Sequence, residues 1–266
     1  LARHHDPIIT LSEEDGVRYL HFGSEWVQGA MKLSRPESLH LDYLQRMMAW
    51  LLFLDGHQDI LQLGLGAGSL TRFTHRRLPA SRTLVVERSE EVIEVAHHWF
   101  GLPQEDARLQ IVAGDAGAFV ADPAQRDRFG VIQVDLYDEQ AQGPVLDSER
   151  FYRRCHRALR SPGVLVVNLF GWREAFTRSL DRLNTMFGGR VIAMPPTPAG
   201  NRIVLAFKGP PLSVSVEQLA RRAALIERSC QLRGAAHDWL QALKVPIAAS
   251  PSARAARTDR TATWSI

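Results

Sequence analysis

The sequence predicts an α/β fold: a parallel sheet with helices on both faces, preceded by a small N-terminal β appendage. Three observations carry this. From residue 60 to residue 187, short apolar runs of strand length alternate with stretches of helical periodicity. The first run ends in a glycine-rich loop, Gly64-Leu65-Gly66-Ala67-Gly68, that opens the next helix. Ahead of it, two apolar runs flank Asp15-Gly16, a dipeptide suited to a tight hairpin turn.

Residues 8–22, IITLSEEDGVRYLHF, make that hairpin within a β element over residues 1–34. Residues 35–54, RPESLHLDYLQRMMAWLLFL, place apolar side chains at helical spacing. Pro36 suits a first helical turn and Asp55-Gly56 a stop. Strands are expected at Ile60–Leu63, Leu84–Val86, Leu109–Val112, Val131–Val134 and Val164–Val167. Helices are expected at Leu70–Leu78, Glu90–Phe100, Ser148–Arg160 and Arg173–Phe187, with Ser161-Pro162-Gly163 as a breaker. Arg190–Met194 and Asn201–Phe207, joined by a Pro/Gly-rich turn, read as a closing antiparallel pair. The α/β core thus spans residues 35–211. One more helix is expected over 215–243, within a C-terminal segment 212–244. Residues 245–266 lack periodicity and read as a loose tail.

Composition narrows the function classes. Apolar residues make up 45% and charged residues 23%, which excludes a disordered or collagen-like chain. No run approaches the about 18 uninterrupted apolar residues of a membrane span, and no apolar signal core opens the chain. No membrane partner is expected. Cys155 and Cys230 lack CxxC spacing and read as free thiols of a reducing, cytoplasmic setting. The 32 basic residues are scattered, so no nucleic-acid surface is expected. His97-His98 are neighbours on a helix and point apart, and no metal is expected. Cys155-His156 fails as a nucleophile and base for the same reason. Met47, Met48 and Trp50 read as core.

The ends of three expected strands carry groups that fit a nucleoside. Gly64, Gly66 and Gly68 let backbone approach a ligand where side chains would collide. Glu87 ends the second strand, nineteen residues after Gly68, where a carboxylate can accept both ribose hydroxyls. Asp115 follows the third strand and can accept from an adenine amino group, or cap the next helix. The spacing is GxGxG, not the dinucleotide GxGxxG, and no GxxxxGK[ST] phosphate loop is present. The pattern resembles class I S-adenosylmethionine-dependent methyltransferases, which implies a Rossmann-like sheet.

A second group follows the fourth strand. Asp135-Leu136-Tyr137-Asp138 sets two carboxylates three apart, ahead of Gly143-Pro144. They can converge on an amine, and one can take its proton during attack; Asp138 can instead bond backbone in a turn. Trp172 can wall an amine channel by cation–π contact, or simply pack.

Taken together, the chain resembles the spermidine synthase family of polyamine aminopropyltransferases from about residue 8 to 208. The residues that carry the resemblance are Trp26-Val27-Gln28, the stretch LDYLQRMMAWLLF, the glycine loop, Glu87, Gly114-Asp115-Ala116 and Asp135-x-x-Asp138 with Gly143-Pro144. Phe151-Tyr152 and Pro198-Ala199-Gly200 also match. The resemblance implies decarboxylated S-adenosylmethionine as co-substrate, a small amine such as putrescine as acceptor, and methylthioadenosine as product. It implies Asp135 as base. The candidate substrate residues are Gln28, Tyr137, Asp138 and Trp172, and the candidate donor residues are Gly64, Gly66, Gly68, Glu87 and Asp115. A homodimer is expected.

The family's glycine loop carries an Asp where this chain has Ala67. Its DSSDP reads DLYDE here, the Tyr before its late Pro is Thr197, and its Gln after the fifth strand is Asn168. Intact S-adenosylmethionine and methyl transfer therefore remain an alternative, as does a non-catalytic nucleoside-binding or assembly role.

Overall fold

Asp15 and Gly16 both adopt positive φ, 49° and 73°, as a two-residue hairpin turn requires. They join β1 (Ile9–Glu14) to β2 (Val17–Phe22), and β3 (Val27–Lys32) completes a three-stranded antiparallel sheet. The structure, a computed structural model, describes residues 8–137, 145–171, 173–232, 234–244 and 263–265. Leu20 and Met31 of the small sheet bury themselves against Ala67 and Phe100, fixing the sheet onto the main domain.

The helix expected over 35–54 is shorter and broken. α1 covers Asp42–Arg46, and a separate 3-10 turn covers Ala49–Leu52. The sheet takes one of the helix's acceptors: the buried side chain of Gln133 donates to the Met47 carbonyl at 3.1 Å. The Leu51 N–H turns instead to the Met48 carbonyl. All four residues of the 3-10 turn are buried, so packing outweighs local periodicity here.

From there strand and helix alternate: β4 (Asp59–Leu63), α2 (Ser69–Arg77), β5 (Arg82–Glu87), α3 (Glu90–Phe100), β6 (Leu109–Ala113), α4 (Ala116–Phe119) and β7 (Phe129–Val134). Then come α5 (Glu149–Ala158), β8 (Leu159–Leu169), α6 (Arg173–Phe187), β9 (Val191–Ala193) and β10 (Arg202–Lys208). The seven-stranded sheet has the order β6-β5-β4-β7-β8-β10-β9. β4 to β8 run parallel, and β10 pairs antiparallel with both β8 and β9. Side chains alternate between the faces. Ile60, Val131 and Val164 pack toward the 3-10 turn. Leu61, Ile132 and Leu165 pack toward α5 and α6.

The single helix expected over 215–243 is two. After β11 (Ser213–Ser215), α7 (Val216–Cys230) starts from a reciprocal cap between Ser215 and Gln218. It ends where Gln231 turns left-handed, at φ 57°, with its side chain held by Arg77 at 2.6 Å. α8 (Ala235–Lys244) then folds back and packs Trp239 into the core beside the 3-10 turn. The expected loose tail is also corrected at its end: β12 (Thr263–Ser265) pairs antiparallel with β11. Residues 245–262 and 266 lie outside the described residues.

Candidate active site

A cavity of about 970 Å³ lies at the carboxyl ends of the parallel strands. Ligands of open α/β sheets bind at this edge, where the strand order reverses. Here the reversal falls between β4 and β7, whose ends carry the glycine loop and Asp135.

The glycine loop is pinned from three sides. Gly64 follows β4, with its N–H on the Val86 carbonyl at 2.9 Å. Glu87 Oε2 accepts from the Leu65 N–H at 2.9 Å, and its Oε1 accepts from the Ser89 N–H at 3.0 Å. Each oxygen keeps a lone pair directed elsewhere. Arg72, buried in α2, donates to the Ala67 and Pro36 carbonyls and to Ser69 Oγ. Burial, with no carboxylate paired to it among the described residues, lowers its guanidinium to about 10. Gly68 caps α2 in the left-handed region, at φ 68°. Gln28 of β3 faces the loop; a Cβ on Gly66 would sit 3.2 Å from its carbonyl oxygen. Asp115 lies on the cavity wall and also caps α4, its Oδ1 accepting from the Ala118 N–H at 2.7 Å. The two roles read from the sequence are compatible, because Oδ2 remains.

Asp135 follows β7, and its carboxyl meets two elements. Asn168, near the end of β8, donates to its Oδ1 at 2.9 Å, and Tyr43 of α1 donates to its Oδ2 at 3.4 Å. Burial pushes this carboxyl up from the ordinary value of 3.8 to about 6; the Asn168 and Tyr43 bonds oppose that rise. The Tyr43 phenol is held well above 10, chiefly by burial and then by the Asp135 charge. Tyr137 donates to the Asn168 carbonyl at 3.0 Å and stands edge-on to Phe170. Burial and Asp135 raise it likewise.

The cavity thus brings Gln28, Gly64, Gly66, Glu87, Asp115, Asp135 and Tyr137 together on one wall system. Gly68 stands just behind, where its Cβ would meet Leu102 at 2.9 Å. Asp138, Gly143-Pro144 and Trp172 lie outside the described residues. Cys155 is fully buried, and burial pushes its thiol far above the ordinary value, so it holds no thiolate. Among the described residues, no group of three or more His, Cys, Asp or Glu side chains could hold a metal ion. No described helix is long and apolar enough to cross a membrane.

The sequence profile of the spermine/spermidine synthase domain matches residues 43–170, from Tyr43 to Phe170 just after β8. A polyamine aminopropyltransferase of Neisseria meningitidis is 37% identical over 218 residues, 82% of each chain. The chain belongs to the spermine/spermidine synthase family. A second family member, the polyamine aminopropyltransferase of Chromobacterium violaceum, is 37% identical over 221 residues, covering 83% of this chain and 84% of its own. The crystal structure of a probable spermidine synthase from Corynebacterium glutamicum superposes with a TM-score of 0.69 at 20% identity, covering 94% and 97% of the two chains. That likeness speaks for the fold. It is the class I methyltransferase-like sheet expected from the strand and glycine pattern, with the small N-terminal sheet in front. As a member of this family the chain is a spermidine synthase-like transferase.

Three cavity-wall or supporting residues were not singled out from sequence. Tyr43 sat within an apolar helical stretch and gave no separate signal. Arg72 was readable as a charge among apolar neighbours, Leu70 and Phe73. Asn201 was read only as the first residue of a strand that in fact starts at Arg202.

Proposed function

We propose that the chain transfers the aminopropyl group of decarboxylated S-adenosylmethionine to a small amine such as putrescine. The amine nitrogen attacks the methylene beside the sulfonium. The new C–N bond forms as the C–S bond breaks, sulfur keeps the electron pair, and methylthioadenosine leaves. Asp135 takes the proton that the nitrogen must lose. The observation that carries this reading is the placement of that carboxyl: it sits on the same cavity wall as Glu87 and the glycine loop, raised to about 6. A base with a value near the working pH accepts a proton most effectively. The names of the two 37% relatives point to the same chemistry.

Glu87 and the glycine loop take the ribose, and Asp115 takes the adenine amino group. Gln28, Tyr137, Asp138 and Trp172 belong to the acceptor side. The amine half departs from the family at Ala67, Leu136, Tyr137, Asn168 and Thr197. Ala67 is buried with Leu20, Met31 and Phe100, and a Cβ on Gly29 would stand 2.5 Å from its methyl. A carboxylate at that position would enter an apolar cluster, so the donor's own amine is left to Asp135 and the acceptor side. The working molecule is a cytoplasmic homodimer.

Incubation with decarboxylated donor and putrescine, followed by product analysis, tests the reaction. Methylthioadenosine and an elongated amine are expected in equal amounts. Methyl transfer from intact S-adenosylmethionine, with no aminopropyl transfer to any diamine, would replace this reading with the methyltransferase one. For the nucleoside half, Glu87→Ala is expected to weaken methylthioadenosine binding about 10–150-fold, from losing a charged acceptor worth ~1.5–3 kcal/mol. Unchanged affinity by calorimetry in a folded variant would remove the ribose role.

A further inference from the structure

Asn201 has no role in the chemistry above, yet its position is tightly defined. It follows the turn 197–200, and Thr197 clamps its backbone twice. Its N–H donates to Thr197 Oγ1 at 3.0 Å, and its carbonyl accepts from the Thr197 N–H at 2.8 Å. Thr197 is itself buried, and the Gly200 N–H closes the turn onto its carbonyl at 2.9 Å. Arg46 of α1 holds the same segment through the Pro195 carbonyl. The side chain of Asn201 is thereby aimed at Asn168, where its Nδ2 donates to Oδ1 at 3.1 Å.

Asn168 is fully buried, so both ends of its amide need partners inside the protein. Those ends are nearly equal in size and shape, and packing alone does not choose between them. The partners choose: one end carries donors and the other only lone pairs. Asn201 presents an N–H, so the Asn168 oxygen faces it and the NH2 faces Asp135. With the amide reversed, Oδ1 would oppose the Asp135 carboxylate, and only a protonated carboxyl could satisfy that contact.

We propose that Asn201 is a positioning residue: by presenting a donor to Asn168, it holds that amide with its NH2 toward Asp135 and keeps Asp135 in its proton-accepting form. The catalytic consequence rests on the reading of Asp135 as base. Burial already pushes Asp135 up to about 6, and the Asn168 bond is the first of the two that oppose this. Among the described residues, the Tyr43 phenol acts on Asp135 through its hydrogen bond, and Asp135 in turn raises the Tyr137 phenol. The other charged or titratable groups on the cavity wall are Glu25, His40, Asp42, Glu87, Arg88 and Asp115.

The test is a cycle of Asn201→Leu, Asn168→Leu and the double variant, with two readouts. One is the titration of the Asp135 carboxyl by carbon NMR, assigned with Asp135→Asn. The other is the pH profile of transfer from decarboxylated donor to putrescine. In Asn201→Leu, the carboxyl midpoint and the acid limb of the rate are both expected to rise from about 6 past neutrality. Turnover at pH 7 should then fall at least about twofold and recover at higher pH. Methylthioadenosine affinity should hold. The double variant should shift no further than Asn168→Leu alone, because the two act in series. If Asn201→Leu does not fold, Asn201→Ala carries the same expectation. A folded variant whose Asp135 midpoint stays put overturns the proposal. A midpoint that moves while the rate profile does not supports the positioning role and refutes Asp135 as base.

Discussion

Asp135→Asn is expected to lower aminopropyl transfer about 10²–10⁴-fold while methylthioadenosine binding survives, the usual loss when a positioned general base is removed. A diamine is mostly protonated near neutral pH, and attack needs its free base. The carboxylate can hold the ammonium and then take its proton; an amide cannot do the second. In the wild type the same logic sets the acid limb of the rate. Activity should fall as pH drops through about 6, where Asp135 protonates. The stability consequence has the opposite sign. The folded value lies above the ordinary 3.8, so the fold disfavours the ionised form. That penalty is absent below about 4, grows between the two values and is complete above about 6. Near neutral pH, Asp135→Asn should therefore unfold about 1–3 kcal/mol harder than wild type. A variant that is inactive yet melts higher is the joint signature. Near-normal turnover would end the base assignment, and a lower melting point would contradict the burial argument.

What the sequence made legible follows from how local each signal is. Strand ends are read from apolar runs that stop at Gly64, Glu87 and Asp135, and a parallel sheet brings such ends to one edge whatever the loops do. The convergence of these strand ends on one cavity was therefore readable as positions before any contact was known. Asp115 was readable as a helix cap, because a carboxylate just ahead of a helix can accept from an N–H of its first turn. Tyr43 and Asn201 were not. Tyr43 meets Asp135 directly and Asn201 meets it through Asn168, both across long separations in sequence that no periodicity encodes. The broken helix at Met47 has the same origin. Its cause is Gln133, a strand residue 86 positions away, which takes a helical carbonyl. The split at Gln231 likewise depends on Arg77 from α2. Sequence periodicity gave the elements that their own side chains determine, and missed the ends that distant partners determine.

Gly64→Ala is expected to destabilise the fold by about 3–5 kcal/mol, more than any other single methyl addition in the glycine loop. A Cβ there would lie 2.2 Å from the Asp135 carbonyl oxygen and 3.1 Å from its carbon. Both atoms are backbone, so no rotamer change relieves the contact. Neither strand can yield cheaply. The Gly64 N–H is bonded to the Val86 carbonyl and the Asp135 N–H to the Leu63 carbonyl, each at 2.9 Å. Its φ of 95° adds strain of order 1–3 kcal/mol for a residue with a side chain. Any shift that makes room also moves Asp135, so activity should fall with stability. Gly66 supplies the contrast within the same loop. A Cβ there approaches only the Gln28 carbonyl, at 3.2 Å, and its φ of 51° is the left-handed conformation that other residues enter for about 1–2 kcal/mol. Gly66→Ala should fold with a modest loss. Gly66→Val should fold too but lose methylthioadenosine binding, because the larger side chain reaches into the donor's space. Denaturant midpoints at constant slope give the stability order and calorimetry gives the binding. Gly64→Ala within about 1 kcal/mol of wild type would mean that β4 and β7 separate more easily than their hydrogen bonds indicate. Normal binding in Gly66→Val would mean that the nucleoside does not lie on this loop.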